Sequence, residues 1–293
     1  MRVLIIRKTT NLELHGQRVS SSVAHGALQE SSLLLLQQAH EEHYASLEKL
    51  RTLLTQKNIS FDEISRRSAW PRSLGYGAVI TVGGDGTMLQ ASQRILDDVP
   101  LIGVRSSSES VGYLCTAGMA QLEMLVDQLQ DNRLQYTEVF RLRAKITRPG
   151  QSTPMLTEPI LNDFLFTNTL PAAMTRYAIK LGSTTEIHKS SGVWIATAAG
   201  STAGIYAAGG KKVPLNVRQF QYRVRELYDP LGGTSFNLFG GFFDPNIDPL
   251  IIENRSENAL LALDGQHAEF SLNFGDQLQF EEAPAIKLAR LAN

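Results

Sequence analysis

The feature that most restricts the fold of this chain is an apolar strand pattern that runs directly into a glycine-rich turn. Val79–Val82 is apolar or β-branched throughout, which predicts a strand buried on both faces, and Gly83–Thr87 follows it with the sequence GGDGT. Helical spacing of apolar residues begins again at Met88. The pattern therefore predicts a strand, a turn and a helix in direct succession.

Such a turn is suited to binding a phosphate group. Glycines allow positive φ angles and let an anion approach the backbone closely. The start of the helix adds N–H groups without intrahelical acceptors and the positive end of the helix dipole. The turn matches neither the dinucleotide fingerprint nor a Walker loop, because the third glycine of the first and the Gly-Lys-Ser/Thr of the second are missing.

Asp85 is the unusual member of this turn, because its carboxylate repels the phosphate that the surrounding amides attract. One interpretation is chemical: Asp85 accepts a proton from a hydroxyl or holds a Mg²⁺ ion that bridges phosphates. The alternative is structural: Asp85 caps a helix that opens at Thr87, or shapes the turn. Its place directly after a buried strand favours the chemical interpretation.

The first part of the chain alternates short apolar runs with helical patterns, which is typical of a parallel α/β sheet. Further strands are predicted at Val3–Ile6 and Pro100–Val104, and helices over about Glu30–Lys57 and around Leu122–Leu129. We therefore expect a Rossmann-like α/β domain over residues 1–135.

The pattern changes near residue 136. Apolar and polar residues alternate over Phe140–Thr147, which predicts an antiparallel strand with Arg141 on its solvated face. Val193–Ile195 is predicted to be a core strand in which Trp194 packs, and Lys211–Asn258 to form long loops that cover a site. Four other strands are predicted at Leu161–Thr167, Tyr177–Leu181, Ala259–Leu263 and Phe270–Phe274.

These patterns predict an all-β, sandwich-like domain over residues 136–277, after which 278–293 returns to the first domain.

Composition excludes several other classes of protein. The 293 residues are 43% hydrophobic and carry a net charge of −1, which excludes a disordered chain and gives no overall field that favours nucleic acid or an anionic membrane. The single cysteine, Cys115, excludes an internal disulfide framework.

The longest uncharged stretch lies between Lys189 and Lys211, and its five glycines and many small residues make it a poor membrane span. We therefore expect a soluble, cytoplasmic protein with neither a nucleic-acid nor a membrane partner.

Several motifs, taken together and in order, resemble those of the NAD kinase family. The Gly83–Thr87 run alone is shared with diacylglycerol-type and sphingosine-type lipid kinases. Three later segments favour the NAD kinases: Leu161-Asn162-Asp163, the small-residue block from Ser191 to Gly210, and Asp264-Gly265-Gln266. Three segments most resemble the branch that includes the animal mitochondrial NAD kinases: Lys8–Thr10, Gly103-Val104 with Gly112–Cys115, and Lys189–Gly192.

The resemblance implies a fold of the NAD kinase/diacylglycerol kinase type and a phosphotransferase activity. The terminal phosphoryl group of ATP, or in some members of polyphosphate, would pass to the 2′-hydroxyl of the adenosine ribose of NAD and make NADP. Asp85 matches the catalytic aspartate, placed as base and as a ligand of Mg²⁺ or another divalent cation. The residues that would serve the phosphates are Gly83, Gly84, Gly86 and Thr87.

Two cations are candidates for the phosphate donor on position alone. Lys8 follows the first predicted strand and Arg105 the third, and ligands of such sheets bind outside the carboxyl ends of the strands. The alternative is that both are solvated surface charges.

In the second domain the resemblance implies six NAD-binding residues: Asn162, Asp163, Ser191, Thr197, Thr202 and Ala203. Asn162 and Asp163 match a pair that holds dinucleotide hydroxyls, although the family has the longer Glu at the second position. The family also commonly has Asp at position 191 and Tyr at position 204, where this chain has Ser191 and Gly204. Glycine removes a stacking ring, so these departures affect contacts with the dinucleotide. The alternatives are structural: a polar break in a strand at Asn162, and a tightly packed small-residue helix after Thr197.

Two other functions stay open at this point. A lipid kinase would share the glycine turn, but it leaves Asn162-Asp163 and the later small-residue block unexplained. A non-catalytic dinucleotide-binding homologue would account for Ser191 and Gly204. The resemblance further implies NAD and ATP as ligands and a homodimer or homotetramer formed through the β domain.

Overall fold

The computed structural model describes residues 1–26, 29–68, 75–229, 232, 235–265 and 268–292. The chain divides into two compact units, one of Met1–Thr137 with Ile286–Asn293 and one of Glu138–Ala285. The first is α/β and the second consists mostly of strands, so the predicted fold class is confirmed.

The first unit is a parallel sheet with helices. Its described elements, in chain order, are β1 (Arg2–Arg7), α1 (Asn11–Ala24), α2 (Glu30–Gln56), β2 (Ser60–Ser65), β3 (Ala78–Gly83), α3 (Asp85–Ser92), β4 (Leu101–Arg105), β5 (Ala117–Gly118), a short 3₁₀ helix (Met119–Gln121) and α4 (Leu122–Gln130). The strands run in the parallel order β2-β1-β3-β4, and near the C-terminus Leu288 pairs in parallel with Leu101 of β4. The carboxyl ends of β1, β2, β3 and β4 therefore lie along one edge.

Apolar side chains of the strands and two helices form the core of this unit. Its fully buried members include Val3, Ile5, Ile80, Val82, Ile102, Leu47, Leu50, Leu54, Leu122, Leu125 and Val126. Because α2 and α4 each present a stripe at helical spacing to the strands, both helices were predictable from the sequence. Helix α1 was not predicted: it has few apolar residues, and none of its residues is fully buried.

The second unit contains two sheets. Its elements are β6 (Gln135–Thr147), β7 (Met155–Leu156), β8 (Asp163–Asn168), β9 (Thr175–Leu181), β10 (Thr184–Ser190), β11 (Gly192–Ala196), a 3₁₀ helix (Ala199–Thr202), α5 (Gly204–Ala207), β12 (Phe220–Arg225), β13 (Gly240–Phe243), β14 (Ile251–Asn254), β15 (Ala259–Leu263), β16 (Ala268–Leu272) and β17 (Gln277–Arg290). One sheet has the antiparallel order β13-β12-β11-β8-β15-β16, and β10-β9-β14-β17, with β6 beside β17, forms the other. Side chains from both sheets share one core, among them Phe164, Phe166, Val193, Ile195, Tyr177, Ile252 and Phe280.

Two expectations for this unit are wrong. Arg141 is only 1% exposed rather than solvated: its Nε donates to the Pro284 carbonyl at 2.7 Å, and burial lowers the pKa of its guanidinium to about 10. Lys211–Asn258 is not made of loops alone, because it contains β12, β13 and β14. In β12, Phe220, Tyr222 and Val224 are buried, a strict alternation that does predict a strand.

Candidate active site

The glycine turn opens onto a cavity of about 320 Å³ in the first unit. Its lining residues are Lys8, Arg66, Gly84, Asp85, Gly86, Thr87, Ser110 and Val111. The cavity lies where β1, β2 and β3 end and α3 begins. The structure thus brings Lys8 together with four residues of the predicted phosphate turn.

Gly83 and Gly84 are needed for close packing rather than for a left-handed backbone. Gly83, Gly84 and Gly86 all lack a positive φ, which corrects the expectation from the sequence. A Cβ on Gly83 would overlap the side chain of Thr87, and one on Gly84 would lie 3.0 Å from the Ser110 side chain. Gly84, Asp85 and Gly86 are partly exposed at the start of α3, whereas Thr87 is only 1% exposed.

The carboxylate of Asp85 is held by two backbone amides. Leu114 N–H donates to Oδ1 at 2.8 Å, and Tyr113 N–H donates to Oδ2 at 2.9 Å. Asp85 is the first residue of α3 and Gly84 is the N-cap, so the alternative of a capping aspartate does not hold. Asp85 instead ties the segment around Tyr113 to the glycine turn, and the carboxylate has a fixed orientation in the cavity.

Two cations, Lys8 and Arg66, line the same cavity. Lys8 is fixed through its backbone N–H, which donates to the Val82 carbonyl at 2.8 Å. Burial and, next, the charge of Arg66 lower the pKa of Lys8, and burial lowers the pKa of Arg66. Two partly desolvated cations this close attract a polyvalent anion strongly.

Sequence reasoning missed Arg66. It follows β2, whose residues are only partly buried and do not form a continuous apolar run, so the strand was not predicted. The signal that would have found it is the same as for Lys8: a cation directly after a parallel strand.

The structure does not bring Arg105 to the glycine-turn cavity. Arg105 lines two neighbouring cavities, one with Ser106–Ser108 and Glu42 and one with Cys115. Its aliphatic part packs over Gly112, where φ is +67° and a Cβ would lie 2.6 Å from Arg105 Cδ. Its contact with the phosphate donor stays a prediction.

In the second unit, Asp264 organises the Asn162-Asp163 pair. The Asp264 carboxylate accepts N–H bonds from Leu161 at 3.1 Å, from Asn162 at 2.7 Å and from Asp163 at 3.3 Å. Asp163 is 5% exposed, and burial followed by the charge of Asp264 raises the pKa of its carboxyl to about 7. Gln266, the last residue of the late Asp-Gly motif, lies outside the described residues.

The side-chain oxygen of Asn162 is buried and has no hydrogen-bond partner among the described residues. Thr197 lies beside it: its N–H donates to the Asn162 carbonyl at 3.0 Å, and its hydroxyl donates to the Leu161 carbonyl. Gly200 packs so closely that a Cβ would overlap the Asn162 carbonyl. An unpaired buried acceptor is costly, so a ligand hydroxyl or amine is a natural partner for Asn162.

The remaining predicted residues of this unit lie on either side of β11. Thr202 is exposed and Ala203 partly exposed, and both follow Thr197 after the end of the strand. Ser191 precedes β11, about 20 Å along the strand from Thr197 at ~3.3 Å per residue. The structure therefore brings Asn162, Asp163 and Thr197 together and places Ser191 at the other end of the strand.

No group of three or more His, Cys, Asp or Glu side chains that could hold a metal ion occurs among the described residues. Mg²⁺ commonly keeps several waters and binds through one or two carboxylates and substrate phosphates, so the single carboxylate of Asp85 fits such an ion. Within the described part of the chain, no helix has both the length and the apolar character that crossing a membrane requires.

The fold is that of the NAD kinases. The structure matches the crystal structure of an NAD kinase from Archaeoglobus fulgidus in complex with ATP, with a TM-score of 0.67 and 17% identity, over 100% of this chain and 94% of that one. It also matches the yeast NADH kinase complexed with NADH, with a TM-score of 0.69 and 15% identity, over 100% and 84% of the two chains. At these identities the likeness establishes the fold alone.

Sequence comparison establishes the family. The chain is 30% identical over 266 residues to the NADH kinase of Arabidopsis thaliana, covering 84% of this chain and 83% of that one. It is 29% identical to a probable NADH kinase of Oryza sativa subsp. japonica (84% and 81% covered) and 28% identical to an NAD kinase of Methanospirillum hungatei (72% and 72%). No family model matches the chain. The chain belongs to the NAD(H) kinase family, which confirms the resemblance seen in its motifs; its closeness to the animal mitochondrial branch stays a prediction.

Proposed function

We propose that the protein is an NAD kinase that transfers the terminal phosphoryl group of ATP to the 2′-hydroxyl of the adenosine ribose of NAD. The observation that carries the proposal is the glycine-turn cavity, where a fixed carboxylate, two cations and a helix start line one space. Membership of the NAD(H) kinase family supports the same activity and argues against the lipid-kinase alternative.

In the first unit, the phosphates of the donor bind at the start of α3. The backbone of Gly84 and Gly86 faces the phosphate chain, and Lys8 and Arg66 neutralise its charge. Thr87 is buried and holds the turn in shape beside Gly83.

Asp85 accepts the proton of the attacking hydroxyl. Its two bonds from backbone amides orient the carboxylate, and each oxygen keeps a further lone pair for the hydroxyl. When bound, Mg²⁺ held by Asp85 would neutralise charge on the transferred phosphoryl group.

In the second unit, Asn162 and Asp163 bind hydroxyls of the dinucleotide. The unpaired oxygen of Asn162 accepts one hydrogen bond, and Asp163 accepts others when ionised. Thr197, Thr202, Ala203 and Ser191 line the rest of the dinucleotide site. In this proposal the first unit serves the donor, and the second serves NAD and oligomerisation as a homodimer or homotetramer.

NADH is a second candidate acceptor, because the plant relatives at 29–30% identity are named NADH kinase and probable NADH kinase. Polyphosphate is an alternative donor. We place the protein in the cytoplasm, in keeping with its single cysteine.

The test is NADP or NADPH formation by the purified protein. NAD and NADH are each supplied with ATP or polyphosphate, with and without Mg²⁺, and the product is measured with an NADP-specific dehydrogenase. We expect Mg²⁺-dependent NADP formation from ATP. Binding of NAD and ATP without any product after long incubation would instead identify a non-catalytic homologue.

A pH dependence of dinucleotide binding is expected from Asp163. If its ionised carboxylate accepts ribose hydroxyls, the KM for NAD should fall as the pH rises through about 7, the pKa of Asp163. Asp163→Asn should raise the KM for NAD about tenfold at pH 8, through loss of a charge-assisted hydrogen bond. It should also flatten the dependence on pH between 6 and 8. An unchanged pH profile in this variant would remove Asp163 from the site.

Asp163→Asn should also change the thermal stability of the protein, in a direction that follows from the pKa of Asp163. Because folding raises the pKa of Asp163 above its ordinary value, the unfolded chain loses this proton first, and stability falls as the pH rises towards 7. Asparagine carries no such proton. Asp163→Asn should therefore unfold at a higher temperature than the parent protein at pH 8, and a lower one would contradict the buried, titrating carboxyl.

A further inference from the structure

Trp194 lies on the face of the six-stranded sheet that points away from the core of the second unit. Its neighbours Val193 and Ile195 are fully buried in that core, and side chains of a strand alternate between the two faces. Trp194 is accordingly only partly buried, next to Leu165 of β8 and Arg223 of β12. The predicted strand is confirmed and Trp194 packs, but on the outer face of the sheet rather than in the core.

The indole rests against the backbone of Gly204. A Cβ at this glycine would lie 2.8 Å from Cζ2 and 3.0 Å from Cη2 of Trp194, which is too close for any side chain. A ring at position 204 and the indole of Trp194 cannot occupy the same space, so the indole can lie here only because residue 204 is glycine. The aromatic surface that residue 204 lacks is present on β11.

The surroundings of the indole suit a flat ligand. Gly204, beside it, has no side chain, and Ala203, the preceding residue, carries only a methyl group. The guanidinium carbon of Arg225 lies 6.0 Å from the indole ring centre, and no described residue accepts a hydrogen bond from the indole N–H. A partly exposed tryptophan next to a glycine offers a large stacking surface, and its N–H has no acceptor in the described part of the chain.

We propose that Trp194 is the stacking residue of the dinucleotide site and binds a planar heteroaromatic ring of the acceptor, adenine or nicotinamide. The proposal rests on the proposed function for the identity of the ligand. Trp194 lies in β11, between Ser191, which precedes the strand, and Thr197, which follows it, so along the chain it lies within the stretch of predicted dinucleotide contacts. The ring contributes affinity and takes no part in proton transfer.

Tryptophan fluorescence tests the contact directly. The chain has two tryptophans, so Trp70→Phe leaves Trp194 as the only one. We expect NAD to quench the emission of this variant saturably, with half-saturation near its KM. The oxidised dinucleotide is used because reduced nicotinamide absorbs tryptophan emission at a distance. AMP and nicotinamide mononucleotide, titrated separately, identify which ring stacks.

Steady-state kinetics test its contribution. Trp194→Leu should raise the KM for NAD about tenfold, as expected for loss of one base–aromatic stack, while the KM for ATP stays within twofold. Trp194→Phe keeps a ring and should recover most of the affinity. Gly204→Ala should also raise the KM for NAD, because it displaces the indole, but it should add nothing in the Trp194→Leu background. Thermal unfolding of each variant confirms that it is folded.

The outcomes separate this proposal from the proposed function. NADP formation with no quenching of Trp194, or with an unchanged KM in a folded Trp194→Leu protein, overturns the stacking role and leaves the kinase activity standing. Quenching by NAD without NADP formation supports the stacking role and contradicts the activity. If NAD does not quench the emission and no NADP forms, both proposals are overturned.

Discussion

Asp85→Asn is expected to lower turnover at least about 100-fold, because asparagine cannot accept the proton of the attacking hydroxyl. The amide is close to the carboxylate in shape, so α3 and its Gly84 cap should form as before. The measurement is kcat for NADP formation at saturating NAD and ATP, with dinucleotide affinity measured separately by equilibrium binding. Affinity for NAD should change little.

The same substitution has a structural cost that must be separated from the chemical one. Asparagine offers one acceptor, so only one of the N–H groups of Tyr113 and Leu114 keeps its bond, at a cost of about 1 kcal/mol in stability. Glu42→Gln is the matched control, because Glu42 also accepts a backbone N–H from the segment after β4, that of Ser108 at 2.7 Å, and does not line the cavity. Turnover of Glu42→Gln should stay within about threefold of the parent. Equal losses in the two variants would mean that loosening of this segment, rather than a missing base, slows Asp85→Asn.

Removing both cations of the cavity is expected to raise the KM for ATP about 100-fold. Lys8→Ala and Arg66→Ala should each raise it about tenfold, since a charge-assisted hydrogen bond contributes ~1.5–3 kcal/mol. The KM for NAD should stay within about threefold. Since burial and Arg66 lower the pKa of Lys8, affinity for ATP should also fall earlier on the alkaline side than for an ordinary lysine, and this fall should move to higher pH in Arg66→Ala.

Arg67→Ala is the matched control for this pair. Arg67 is adjacent to Arg66 in the chain, but it is exposed and does not line the cavity. Its loss removes the same net charge and should leave the KM for ATP within about twofold. If Arg67→Ala and Arg66→Ala weaken ATP binding equally, overall charge rather than a built phosphate site explains the effect.

Periodicity revealed those elements of the fold that bury a contiguous or regularly spaced apolar face. Strands β1, β3 and β4 are nearly continuous apolar runs because they are central in a parallel sheet, and α2 presents Leu47, Leu50 and Leu54 at helical spacing. Helix α1 has no fully buried residue, and its clearest local signal is its capping box, in which Thr10 and Glu13 bond each other's backbone N–H. Such local signals are weak unless an apolar face accompanies them.

Arg141 shows where periodicity misleads. Strict alternation predicts that it is exposed to solvent, yet the Pro284 carbonyl and the nearby carboxylate of Asp264 make a buried cation acceptable. Both partners are more than 100 residues away in the sequence. A buried charge that is stabilised by residues so distant in the sequence leaves no pattern in the residues around it.

The part of the candidate site that could be predicted is the part whose residues are adjacent in the sequence. Gly83–Thr87 is one short run, so its placement at the carboxyl end of a strand followed from the strand alone. Arg66 depends on a strand without an apolar pattern, and the contact between Trp194 and Gly204 depends on how a ten-residue segment folds back. Neither arrangement can be derived from spacing.

The most direct test of the proposed donor site is a crystal structure of the protein with a non-hydrolysable ATP analogue and Mg²⁺. We expect the phosphate chain within hydrogen-bond distance of the Gly86 backbone N–H and of the Lys8 and Arg66 side chains, with the terminal phosphate beside Asp85. A phosphate chain bound in the cavities next to Arg105 instead, with the glycine turn empty, would contradict the account.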